Sequence, residues 1–129
     1  MTQEDKQLLS ADLCARLPYG VICEYTSIQP GYELYNEIGV LESIQKDYQS
    51  YKFVIDGHSC GFSDFKPYLR PMSSMTEEEE RDWWTYKQVG TKWEEEDSRS
   101  IDWLNAHHFD YRGLIERGLA LEAPDGMYK

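Results

Sequence analysis

The sequence predicts an α+β fold: a small bent sheet or SH3-like β-barrel, covered by an N-terminal helix and a C-terminal helical tail. Three observations carry this expectation. A leucine stripe at helical spacing occupies the first seventeen or so positions. Between roughly residues 19 and 70 the pattern changes to short β-branched and aromatic runs, with turn residues at roughly ten-residue intervals. Beyond residue 72 it becomes helical and acidic. The 129 residues are expected to form a single domain, with the helix at 1–18, the barrel-like unit at 19–72 and the acidic tail at 73–129.

The first helix is expected over residues 3–17. Thr2 and Asp5 stand at capping-box spacing, with Asp in place of the usual Glu. Leu9, Leu13 and Leu17 recur at i, i+4 and i+8, with Leu8 and Cys14 beside them. Pro18 and Gly20 stop the helix. Gly20 to Thr26 then reads as a strand, and Gln29-Pro30-Gly31 as a turn. Tyr32 to Ile44 reads as two short strands or one long strand bent near Gly39. Tyr51 to Ile55 is the clearest strand, Asp56-Gly57 a tight turn, and His58 to Phe62 a short return strand.

Asp64 to Thr76 forms the seam between sheet and tail. Pro67 and Pro71 fix its backbone and are expected to limit pairing on either side. Thr76 and Glu79 complete a capping box, so a helix should run from there to about Gln88 and stop near Gly90. Glu77 to Glu80 suit the positive end of its dipole. Trp83 and Trp84 point about 100° apart and cannot share one narrow stripe. Thr91 to Ser98 is a loop or a continued helix. A further helix from about Ser98 or Ser100 to Ala106 should bury Ile101 and Leu104. Asp110 can cap a third, Tyr111 to Arg117, burying Leu114 and Ile115 before Gly118. Leu119 to Leu121 runs extended or packs back, and Pro124-Asp125-Gly126 ends the fold.

The formal charge is −11, from 13 basic and 24 acidic residues. This balance opposes phosphate backbones and anionic membranes and permits basic protein partners. Cys14, Cys23 and Cys60 are odd in number, widely spaced and without a CxxC pair, which suits three reduced core thiols. The N-terminus is polar and lacks a signal peptide's apolar region, and no apolar run reaches membrane-spanning length. The protein is therefore expected to stay in the cytoplasm of the cell that makes it.

Candidate chemistry is thin. His107-His108 beside Asp110 lacks HxxxH or HExxH spacing and reads as a polar turn, so no metal is expected. His58-Ser59-Cys60 is a weak HxC pattern, and no family signature of a thiol nucleophile surrounds Cys60. Glu77 to Glu80 and Glu94 to Asp97 lie in solvated sequence, with no carboxylate pair in an apolar pocket. No P-loop or GxGxxG occurs. No catalytic residue and no cofactor are expected. Tyr68 with Arg70, and Tyr111 with Arg112, are aromatic–basic pairs that either clamp the tail to the sheet or grip a partner. The clamp version has Arg70 reaching Asp102, Asp110 or Glu116 on the tail.

Lys66 to Thr76, Asp102 to Pro124 and Asp12 to Val21 together resemble small uncharacterised proteins of phages and prophages in gut Bacteroidales. The three blocks cover about a third of the chain, and Arg81 to Ser100 is not matched. The resemblance implies a phage or mobile-element gene with an accessory role, and it carries over no catalytic or binding residue. The expected function is non-enzymatic and works by protein–protein interaction with an unidentified host or phage protein. The candidate partner-binding residues are Tyr68, Arg70, Trp83, Trp84, Trp93, His107, His108, Tyr111 and Arg112. The alternative is an acidic nucleic-acid mimic that inhibits a host nucleic-acid-binding enzyme. A nucleic-acid partner is disfavoured, no membrane partner is expected, and a homo-oligomer stays open.

Overall fold

In the computed structural model, residues 1–28, 34–47, 50–88 and 93–128 are described, the side chains at 27, 28, 34, 35, 47, 50, 87, 88 and 93–98 excepted. The expected turn at Gln29-Pro30-Gly31 and the helix stop near Gly90 lie outside these residues, as does the side chain of Trp93. The chain is α+β. Its elements in order are α1 (Gln3–Arg16), β1 (Ile22–Ile28), β2 (Leu34–Asp47), β3 (Ser50–Ile55), β4 (His58–Cys60), β5 (Phe65–Pro71), α2 (Glu77–Gln88), α3 (Trp93–Ala106), β6 (Phe109–Asp110) and β7 (Leu121–Glu122).

Helix α1 starts where the Thr2 hydroxyl accepts the Asp5 amide proton at 3.1 Å. Leu9 and Leu13 are fully buried and Leu17 is half-buried. Each buried leucine stabilises the fold by about 1.5–3 kcal/mol. Cys14 is exposed, so only Cys23 and Cys60 are core thiols.

The strands form one open, mixed sheet in the order β4-β3-β2-β1-β5-β6, with β7 added beside β5. The five antiparallel strands run from β4 to β5, and β6 and β7 join β5 in parallel. Among the described residues no ladder joins β4 to β6, so the sheet does not close into the expected SH3-like barrel. The bend does exist. β2 is one long strand whose register shifts between Leu41 and Ser43, two residues past the expected break at Gly39. Gly39 is needed for space: a Cβ there would stand 2.8 Å from the Asp56 Cβ and 3.2 Å from the Tyr25 ring. Asp56 and Gly57 both take positive φ, the two-residue turn that their dipeptide favours.

The seam is a strand, contrary to expectation. Pro67 faces Cys23 and Pro71 faces Asp110, each at the last pair of its ladder, where a missing amide donor removes least. Thr76 and Glu79 cap α2 reciprocally: each backbone amide donates to the other's side chain at 3.1 Å. Of the two readings of Thr91 to Ser98, the continued helix is the one found, since α3 already starts at Trp93. Its buried residues are Trp103 and Leu104, while Ile101 is exposed. The expected third helix is absent. Asp110 does accept from the Leu114 and Ile115 amides at 2.9 and 3.0 Å. Gly113, however, takes φ +76, which turns the chain out of a helix into successive turns. Nor does the chain end at Pro124-Asp125-Gly126. Tyr128 folds back, and its hydroxyl accepts from the Ile22 amide (2.9 Å) and donates to the Tyr68 carbonyl (2.6 Å). It bridges β1 and β5 just beyond their last pair.

Two apolar clusters result. The larger lies between α1 and the sheet and includes Leu9, Leu13, Tyr25, Phe53, Leu69 and Leu114. The smaller, Trp103, Leu104 and Phe109, sits under α2 and α3, with Met72, Met75, Trp83 and Tyr111 packed on it.

Candidate functional site

The sequence candidates divide into three groups. The first is structural. Arg70 forms a two-pronged pair with Glu79, Nη1 and Nη2 each donating at 2.7 Å, and its guanidinium lies 4.1 Å above the Phe109 ring. Arg70 thus clamps the sheet to the tail. Its partner is Glu79 on α2 rather than Asp102, Asp110 or Glu116. Arg70 and the cap together hold the Glu79 carboxyl down at about 2. Tyr68 does not reach the tail by its side chain; its hydroxyl donates to Glu24 on β1 at 2.9 Å.

The second group holds the candidates Tyr111 and Arg112, which join a buried ionic cluster of Asp12 and Arg16 that sequence reasoning missed. Asp12 and Arg16 are both 0% exposed. Arg16 Nε donates to Asp12 Oδ2 at 2.8 Å, and Nη2 donates to the Phe109 carbonyl. Its guanidinium also lies over the Tyr111 ring at 5.3 Å. Arg112 approaches Asp12 Oδ1 to 3.5 Å, at ion-pair distance. Its Nη2 also donates to the Tyr111 hydroxyl at 3.2 Å, and that hydroxyl donates to Asn105 Oδ1 at 3.0 Å. Burial pushes the Asp12 carboxyl up, and the two arginines pull it back. The signal was present. Leu9, Asp12, Leu13 and Arg16 follow i, i+3, i+4, i+7 spacing, so the ion pair sits on the buried face.

His107 and His108 separate. His108 takes φ 66 and ends α3 as its left-handed stop. Its ring is buried and stacks on Tyr128 at 3.7 Å. Burial, with Arg16, His107 and Arg70 nearby, lowers its pKa to about 4. His107 instead stacks on Trp103 at 4.0 Å. Among the described residues no three His, Cys, Asp or Glu side chains gather as a metal would require. Burial raises the Cys23 thiol to about 12 and raises Cys60 as well, which disfavours the thiolate that a nucleophile needs.

The third group lines a groove between α2 and α3. Two adjoining hollows of about 560 and 500 Å3 share Trp103 and His107 as their floor. The first is walled by Glu78, Arg81, Asp82 and Thr85, the second by Tyr19, Tyr86, Arg99 and Asp102. Trp103 is fixed from two sides: its Nε1 donates to Asp82 at 2.9 Å and its ring stacks on Phe109 at 5.8 Å. Tyr86 and Tyr19 are 41% and 40% exposed, and Trp84 on the same helix is 48% exposed. Trp83 is half-buried against the smaller core. Tyr19 and Tyr86 were not among the site candidates, because only folding brings the turn after α1 beside the end of α2. No helix among the described residues is long and apolar enough to cross a membrane. Comparison with models of protein families, with curated proteins and with solved structures finds no significant match.

Proposed function

We propose that this chain is a non-enzymatic accessory protein of a phage or mobile element, working in the bacterial cytoplasm by binding another protein through the α2/α3 groove. The observation that carries the reading is the stacked Trp103–His107 floor between half-exposed tyrosines and a carboxylate rim. Binding energy concentrates on aromatic anchors at the centre of an interface, with charged groups around them. The rim carries Glu78, Asp82 and Asp102 against Arg81 and Arg99, and the whole chain carries −11. The occupant that this suits is a protein segment bearing Lys or Arg beside apolar side chains.

Nucleic-acid mimicry ranks second. It calls for carboxylates left free on one face, yet several on α2 are engaged singly. Glu79 is held by Arg70 and Asp82 by Trp103. We also read the antiparallel run β5–β1–β2–β3–β4, bent within β2, as an open variant of SH3-like architecture, which assigns no function by itself.

The test is a photo-crosslinking residue at Tyr86, with one at Asn36 on the sheet as control, in lysate of a gut Bacteroidales host. A discrete protein adduct from Tyr86 alone is the expected result. Adducts shared by both positions, or none, would reject the groove.

A further inference from the structure

A separate hollow lies where the first turns of α1 pass over β2, β3 and the β4–β5 connection. Its volume is about 590 Å3, inside the range of roughly 300–1,000 Å3 typical of small-molecule sites. Its lining differs from the rest of this acidic chain. Lys6 and Lys46 contribute to it, and among the described residues it holds no carboxylate. Asp64, adjacent in fold to the lining residue Gly61, has its Oδ2 held by the Gly61 amide at 2.9 Å.

The aromatic part of the wall is rigid. Tyr51 and Phe62 meet edge-to-face at 5.6 Å, and Phe62 meets the fully buried Phe53 in the same manner at 5.1 Å. The lysines are loosely placed by comparison. Lys6 stands 5.9 Å from the Phe62 ring centre and Lys46 stands 5.7 Å from that of Tyr51, near the outer limit of a cation–π contact. Each ammonium is therefore free to turn to an anion at small loss. Ser10 is buried, and its hydroxyl donates to the Gln7 carbonyl at 3.1 Å, so its oxygen remains available as an acceptor. Two cations, two anchored rings, an acceptor oxygen and the side-chain amides of Gln3 and Gln7 converge on one volume.

We infer that this hollow binds a small aromatic anion of the nucleoside-monophosphate kind. The lysines hold the phosphate, Phe62 and Tyr51 hold the planar ring, and the amides and Ser10 meet its polar edge. The inference is independent of the α2/α3 groove.

Isothermal titration of the full chain with adenosine 5′-monophosphate, adenosine and inorganic phosphate tests it. The monophosphate should bind saturably and at least about tenfold more tightly than either fragment. Lys6→Gln and Lys46→Gln should each weaken it about tenfold, with the melting temperature unchanged. A single-stranded oligoadenylate should bind more weakly than the monophosphate, because a polyanion meets the net negative charge of the chain. No saturable heat with the monophosphate overturns the inference. So does phosphate alone binding equally well, wild-type affinity in both lysine variants, or tighter binding of the oligonucleotide.

Discussion

Arg70 and Arg16 show two ways in which one guanidinium organises this fold. Arg70 is partly exposed and meets Glu79 with both prongs, the geometry for which arginine rather than lysine is suited. Arg70→Ala should destabilise the protein by about 1–3 kcal/mol. Thermal denaturation checks this, and an unchanged melting temperature would reject the clamp. Arg16 is fully buried, so its neutraliser matters more. Asp12→Ala leaves the fully buried Arg16 without its carboxylate and should destabilise by about 3–5 kcal/mol in urea unfolding. The native pKa of His108 is about 4, against 6.5 for the free side chain. A depressed histidine favours the neutral native form. Its contribution is thus fully present above pH 6.5 and is lost as pH falls through about 4. His108→Asn keeps a residue tolerant of left-handed backbone and should flatten stability against pH across that window. An unaltered slope between pH 6.5 and 4 would contradict the assignment.

At the scale of elements, the parts with local causes were legible. The Thr2 and Thr76 caps, the Asp56-Gly57 turn and the Leu9–Leu13 stripe each depend on residues within a few positions of one another. The parts with distant causes were not. Pro67 and Pro71 suggested a break, but they stand at ladder ends that β1 and β6 determine. Asp110 does cap the following turn, but the chain takes positive φ at Gly113, where the helix suggested by Tyr111 to Arg117 would have to continue. Gly39 offers a direct test of the sheet. Gly39→Ala places a methyl group 2.8 Å from the Asp56 Cβ, and real Cβ contacts of that length do not occur without movement. Overpacking of this kind should destabilise by about 1–3 kcal/mol, read as a lowered urea midpoint. Unchanged stability would mean that β2 and the β3–β4 turn are not in the register described.

At the scale of the whole molecule, two apolar clusters are joined through a charged layer. α1 and the sheet enclose one, α2 and α3 cover the other, and Arg16 spans from α1 to the Phe109 carbonyl between them. This plan leaves the tail's aromatic residues with different roles. Trp83 and Trp103 belong to the interior, whereas Tyr86 and Trp84 remain at the surface. The sequence distinguished these roles poorly, since a helix face acquires meaning only from what packs against it. Tyr19 was equally hidden, being one residue past a proline at the boundary between the helix and the sheet. The central claim is that Tyr19, Tyr86 and the Trp103–His107 floor bind a protein partner. Its most direct measurement pairs stability with affinity in the double variant Tyr19→Ala/Tyr86→Ala, using the partner captured by crosslinking at Tyr86. Because both side chains are substantially exposed, each change should alter stability by no more than about 0.5 kcal/mol. Affinity for the partner should fall by more than about tenfold, as for removal of interface anchors. Wild-type affinity in a stably folded double variant would contradict the claim.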